Sequence, residues 1–211
     1  MQHNTKAKRW RVPQYAILFV LSALSGLLIS GPLLSGSAHA QGLPPKPGPA
    51  RAAKMFDILC LSKLPNIQAI AALAAQNKFT SLSGAALKPY RPQVPVDAMR
   101  GWRFKDIGST FTLLVTRSKP DAQFKAALPA YANSVNFACS LIFPNKFAKA
   151  GVLAALAKII GRKRDEAWDQ GPMRVHAWKA ATKKAYIQAL HYAGKARTNT
   201  SLISASIFVK Q

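Results

Sequence analysis

Acidic residues are scarce. Seven Asp and Glu stand against 30 Lys and Arg in 211 residues, a formal charge of +23. So few carboxylates leave little material for a two-carboxylate acid/base centre or an oxygen-lined cation site. Only Asp165, Glu166 and Asp169 lie close together, and Arg162, Lys163 and Arg164 directly precede them as ready ion-pair partners. Cysteine is limited to two residues, which excludes a disulfide-dense mini-protein, and neither has a Cys-x-x-Cys partner. Histidine occurs four times, without the third and fourth neighbours that a zinc site needs. No Gly-x-Ser-x-Gly elbow, Ser-x-x-Lys motif, phosphate-cradling loop or dinucleotide fingerprint is present. The sequence therefore predicts a non-enzymatic chain with no catalytic residue, no metal site and no cofactor.

What is present is apolar and basic. Hydrophobic residues make up 49% of the chain, too many for a sequence held open by its own charge. The length suits one domain. Near the N-terminus, Lys6, Lys8, Arg9 and Arg11 precede an apolar stretch from Ala16 to Ser30. Gly31-Pro32 then breaks the run, and Ala38-His39-Ala40 offers small residues where signal peptidase cuts. Residues 1–40 are predicted to be a cleaved signal peptide, so that a periplasmic or secreted protein begins at Gln41. The alternative is an inner-membrane anchor through an uncleaved Ala16–Leu34, just long enough to span a bilayer. No later segment is long and apolar enough to do so. Residues 41–50, rich in proline and glycine, read as a linker, and 51–211 as a single domain. Cleavage removes four basic and no acidic residues, leaving +19 on 171 residues.

Periodicity sets the expected elements. Met55, Phe56, Leu59 and Cys60 share one face of a helix over Ala52–Leu61, and a second helix follows Pro65-Asn66. Thr110–Arg117 alternates in the manner of a half-buried strand, with a hairpin partner over Gly101–Asp106. Asn133–Phe143 alternates again, placing Cys139 beside Val135, Phe137 and Leu141. Both sulfurs thus point inward, and an even pair in an exported chain predicts the disulfide Cys60–Cys139. A helix is expected over Asn145–Ile160 with Gly161 as its cap, followed by strands over Met173–Trp178, Ala185–Tyr192 and Leu202–Val209. No internal repeat is evident. The expected fold is α+β: two N-terminal helices and an antiparallel sheet of five to six strands, with one long helix inserted before a C-terminal three-strand meander.

The Phe56-x-x-x-Cys60 helix followed by Pro65, the Gly101-Trp102 strand start and a second cysteine on a central strand resemble small exported single-disulfide proteins of Gram-negative bacteria. The resemblance implies export and a disulfide, and carries no activity or site residue.

The tail strands suggest a binding face. If Met173, Val175 and Ala177 point to the core, then Arg174, His176 and Trp178 share the opposite face, and Tyr186 and Tyr192 of the next strand join them. Such a basic, aromatic surface suits stacking on sugars, head groups or bases. The charge points to an anionic partner. Export makes nucleic acid a poor candidate and favours an anionic envelope surface or an acidic protein. Two other functions fit the sequence: a small-ligand or weakly hydrolytic pocket using His176, His191 and the Asp165–Asp169 cluster, and a structural periplasmic subunit.

Overall fold

A computed structural model describes residues 49–92, 94–147, 151–194 and 199–211. The proposed signal peptide and nearly all of the linker lie outside the described residues. The first helix, α1 (Pro49–Phe56), runs on into a π-helical turn, Asp57–Leu61. Asn66 then caps α2 (Ile67–Gln76), its side chain accepting from the Ala69 amide at 3.0 Å. Eight strands follow: β1 (Thr80–Leu82), β2 (Ala98–Asp106), β3 (Ser109–Ser118), β4 (Ser134–Pro144), β5 (Glu166–Gln170), β6 (Met173–Ala181), β7 (Ala185–Gly194) and β8 (Thr200–Lys210). Between them come the short helices α3 (Ala122–Ala127) and α4 (Gly151–Ile160).

The expected architecture is corrected here. The described residues form one eight-stranded antiparallel sheet, not five to six strands, and the few helices among them are short, so the described fold is mostly β. The two strands that periodicity did not reveal, β1 and β5, are the two edges of the sheet. They are short and mostly exposed, and so show little apolar alternation. Strand order is β1-β2-β3-β4-β8-β7-β6-β5. Two four-strand meanders, each preceded by helix, therefore meet at a central β4–β8 seam that pairs Ser134 with Lys210 and Pro144 with Thr200.

Antiparallel partners point to the same face of a sheet, so the register assigns each side chain. One row crosses the sheet as Trp102, Leu113, Leu141, Ile203, His191 and His176. All six are buried on the face that α1, the π-turn, α2 and α4 cover. The next row holds Val115, Cys139, Ala205, Ala189 and Trp178. Cys139 lies at the middle of the central seam and bonds Cys60 of the π-turn, with Cα atoms 5.4 Å apart. The disulfide thus ties the first helical segment to the centre of the sheet. Arg51 of α1 adds a second tie at the end of the β2–β3 hairpin. Its guanidinium donates to both oxygens of Asp106 at 2.5 and 2.6 Å.

The opposite face has covers of its own. Phe124 of α3 stacks on Phe208 with ring centroids 3.8 Å apart, and Tyr131 and Tyr186 complete that satellite cluster. Further along, Leu87 lies so close over β2 that a Cβ on Gly101 would come within 2.7 Å of it.

Candidate functional site

The five residues expected to share one binding face are divided by the register. Arg174, His176 and Trp178 point to the helix-covered side, whereas Tyr186 and Tyr192 point to the other. Ala181 pairs with Tyr186, so even-numbered residues of β6 stand beside odd-numbered residues of β7. Each aromatic ring is also more enclosed than a stacking platform requires. Trp178 is buried, and its indole N–H donates to the Arg162 carbonyl at the C-terminus of α4, at 3.2 Å. Tyr186 is buried against Phe124 and Tyr131, and Tyr192 is half-buried. Burial raises the pKa of both tyrosines.

His176 and His191 do come together, directly opposite on β6 and β7, with stacked rings 5.8 Å apart. The nearby carboxylates have other partners. Asp165 accepts from Arg162 and from the Lys179 amide, Glu166 pairs with Lys179 at 2.7 Å, and Asp169 pairs with Arg174 at 3.2 Å. Among the described residues no group of three His, Cys, Asp or Glu is placed to hold a metal ion. Burial lowers the pKa of both histidines; for His176 the positive charges of Arg164 and Arg174 act in the same direction.

A site that sequence reasoning missed lies at the other end of the sheet. The π-turn, α2 and the end of β2 enclose a cleft of about 650 Å³, within the range of roughly 300–1,000 Å³ usual for small-ligand sites. Ile58, Leu73, Phe79 and Phe104 form apolar walls and are only half-buried. Phe79 and Phe104 stack with centroids 4.1 Å apart, and Phe104 stacks in turn on the buried Phe111. Lys54 and Lys63 line it as well, whereas Lys105, although it borders the cleft, alternates with Phe104 and Asp106 and so belongs to the other face of β2. The two carboxylates that reach the cleft are already engaged: Asp57 with Lys54 at 3.1 Å, and Asp106 with Arg51. That hydrogen bond raises the pKa of Arg51, keeping the guanidinium charged.

No protein-family model, curated protein or solved structure matches the chain. A functional reading therefore rests on these residues alone. The cleft left no local signal in the sequence, because Ile58, Leu73, Phe79 and Phe104 are scattered over segments that the fold later brings together.

The wider surface repeats the same charge pattern. Five of the seven acidic residues lie in internal ion pairs, and Asp121 caps α3 by accepting from the Phe124 amide. Arg91, Arg100, Arg103, Lys105, Arg117, Lys119, Lys125, Lys163, Arg164, Lys183 and Lys184 are all exposed. Among the described residues, no carboxylate lies within ion-pair distance of any of these eleven. No described helix is long and apolar enough to cross a membrane.

Proposed function

We propose that this is a non-enzymatic basic protein, exported to the periplasm or beyond, that associates with an anionic component of the cell envelope. The observation that carries the reading is the charge balance just described: five of the seven acids are held in ion pairs within the fold, and the excess cations face outward. Each basic residue close to an anionic membrane surface contributes about 1 kcal/mol, so a handful acting together gives firm association without a dedicated pocket. The disulfide supports the exported half of the reading, because such bonds persist in oxidising compartments. The enclosure of Trp178, Tyr186 and Tyr192 weighs against a stacking site on the tail strands and leaves charge as the main recognition element.

Expression in a Gram-negative host tests this reading. The expected product starts at Gln41 by N-terminal sequencing, carries the oxidised Cys60–Cys139 pair, and is released from envelope fractions by high salt. A product that retains residues 1–40 and stays reduced in the cytoplasm would overturn it.

A further inference from the structure

We propose that the outer edge of β5 is a self-association surface, at which two copies of this chain pair their β5 strands antiparallel about a two-fold axis at Trp168. The inference is independent of the anionic-envelope reading. Backbone geometry, apolar pattern and local charge each point to it.

Strand β5 ends the sheet, so one side of its backbone has no strand partner among the described residues. The two-residue turn Gly171-Pro172, with Gly171 at positive φ, closes β5 onto β6 and sets Gln170 opposite Met173. A turn of this length makes its flanking residues a hydrogen-bonded pair. Bonding then alternates along the ladder: Glu166, Trp168 and Gln170 bond to β6, whereas the N–H and C=O groups of Ala167 and Asp169 point outward. A second β5 laid antiparallel and centred on Trp168 sets Ala167 of each copy opposite Asp169 of the other, so the outward groups meet. The two Trp168 side chains then form the non-hydrogen-bonded pair between them, where opposite residues approach most closely.

Trp168 is one of three large hydrophobic side chains left exposed among the described residues. It lies on the face away from α1, α2 and α4, at the end of a row that runs through Val175, Tyr192, Leu202 and Ile142. Tyr192, Leu202 and Ile142 are only half-buried. Pairing at β5 joins two such rows into one band and takes both indoles out of water, which is favourable.

Charge decides which edge a second copy can approach, because a chain of +23 repels its own kind. At β5 the charges cancel in place: Glu166 with Lys179, Asp169 with Arg174, and Asp165 with Arg162 just ahead of the strand. In the symmetric register Glu166 falls opposite Gln170 and Asp169 opposite Ala167, so no charge directly faces its like. Arg164, exposed before the strand, falls near the uncharged Gly171-Pro172 turn of the second copy. The strand itself contains no proline and no unpaired charge, the usual protections of an edge. The other edge, β1, is three residues long, follows Lys78 and pairs Thr80 with Arg103, both cations being exposed.

Five residues a side make a small interface, of the transient class below about 1,200 Å². The dimer is therefore expected to be weak and concentration-dependent. The test is sedimentation equilibrium of the purified protein from about 5 to 500 µM, which reads dissociation constants in the micromolar decades. A reversible monomer–dimer equilibrium is expected. It should tighten about threefold or more between low salt and about 0.15 M, as screening relieves the repulsion between copies. Vesicle partition runs the other way with salt, so the two claims fail separately. Ala167→Pro removes an outward N–H and no bond to β6, so the monomer folds, as circular dichroism checks. That variant and Trp168→Lys are each expected to weaken dimerisation about tenfold or more. Val94→Ser, which removes an exposed apolar side chain elsewhere, is expected to leave it unchanged. Hydrogen exchange supplies a readout without substitution: the Ala167 and Asp169 amides should gain protection as concentration rises. Four results would overturn the proposal: a monomer at every concentration and salt, growth beyond the dimer into open chains, dimerisation undiminished in Trp168→Lys or in a folded Ala167→Pro, or no added protection at those two amides.

Discussion

His191 is sealed from solvent opposite His176, and neither of its ring nitrogens has a hydrogen-bond partner among the described residues. The pair continues an apolar row that runs through Ile203 and Leu141 to Trp102, so the core treats two imidazoles as flat neutral rings. Burial, with His176 alongside, pushes the pKa of His191 down from 6.5 to about 4. A pKa lower in the folded than in the unfolded chain means that the unfolded chain binds more protons between the two values. Stability is therefore full above about pH 6.5 and declines as pH falls toward 4, with His191 accounting for about 3 kcal/mol. Urea midpoints at pH 7 and pH 4 measure this. His191→Leu is expected to flatten the pH dependence, and an unchanged slope would contradict the account.

Reduction of the disulfide should be costly. Cys60 and Cys139 are 79 positions apart in sequence. Closing a loop of that size stabilises a fold by about 4–5 kcal/mol through the entropy of the unfolded chain. Cys139→Ser, or unfolding in the presence of a reductant, is expected to lower the thermal midpoint by about 10–20 °C. A shift of only a few degrees would show that the helical segment is held to the sheet by packing alone.

Arg51 and Asp106 make the second tie, with both side chains largely buried. Removing one member leaves an uncompensated charge in a poorly solvated place, which typically costs about 3–5 kcal/mol. Asp106→Asn is expected to destabilise in that range, and pairing it with Arg51→Met to recover much of the loss. A double variant no more stable than the single one would mean that Arg51 acts mainly through its other neighbours.

The β2–β3 turn is built on Ile107 and Gly108, both at positive φ. A two-residue hairpin of this form favours Asn-Gly, and a β-branched residue in the left-handed region carries a penalty of roughly 1–2 kcal/mol. Ile107 is also exposed, so no core packing offsets that penalty. Ile107→Asn is expected to raise stability by about 1 kcal/mol in chemical denaturation.

How far the sequence reveals the fold depends on where each residue lies. Inner strands such as β3 and β4 set large apolar residues at every second position on the face under the helices, Phe111, Leu113 and Val115 in one and Val135, Cys139 and Leu141 in the other, and Cys139 could be placed inward from that pattern alone. The edges β1 and β5 have no such pressure and read as loops. Strand β6 misleads for the opposite reason. Val175 through Trp178 are buried on both faces, so parity gives no indication of which side meets the helices. The pairing of Tyr186 and Tyr192 with the wrong face follows from the length of the β6–β7 turn, which sets whether odd or even residues meet. The cleft was hidden because its walls come from the π-turn, α2, the segment before β1 and the end of β2. No local pattern brings Phe79 beside Phe104.

The most direct test of the central claim, that outward cations engage an anionic envelope component, is the partition of the purified protein between buffer and vesicles at low ionic strength. Phosphatidylglycerol vesicles are compared with phosphatidylcholine vesicles. With three or more basic side chains near the surface at about 1 kcal/mol each, partition onto the anionic vesicles should be at least about a hundredfold stronger. It should also collapse as salt shortens the screening length below about 10 Å. Equal partition onto both vesicle types, or no binding to either at low salt, would contradict the account.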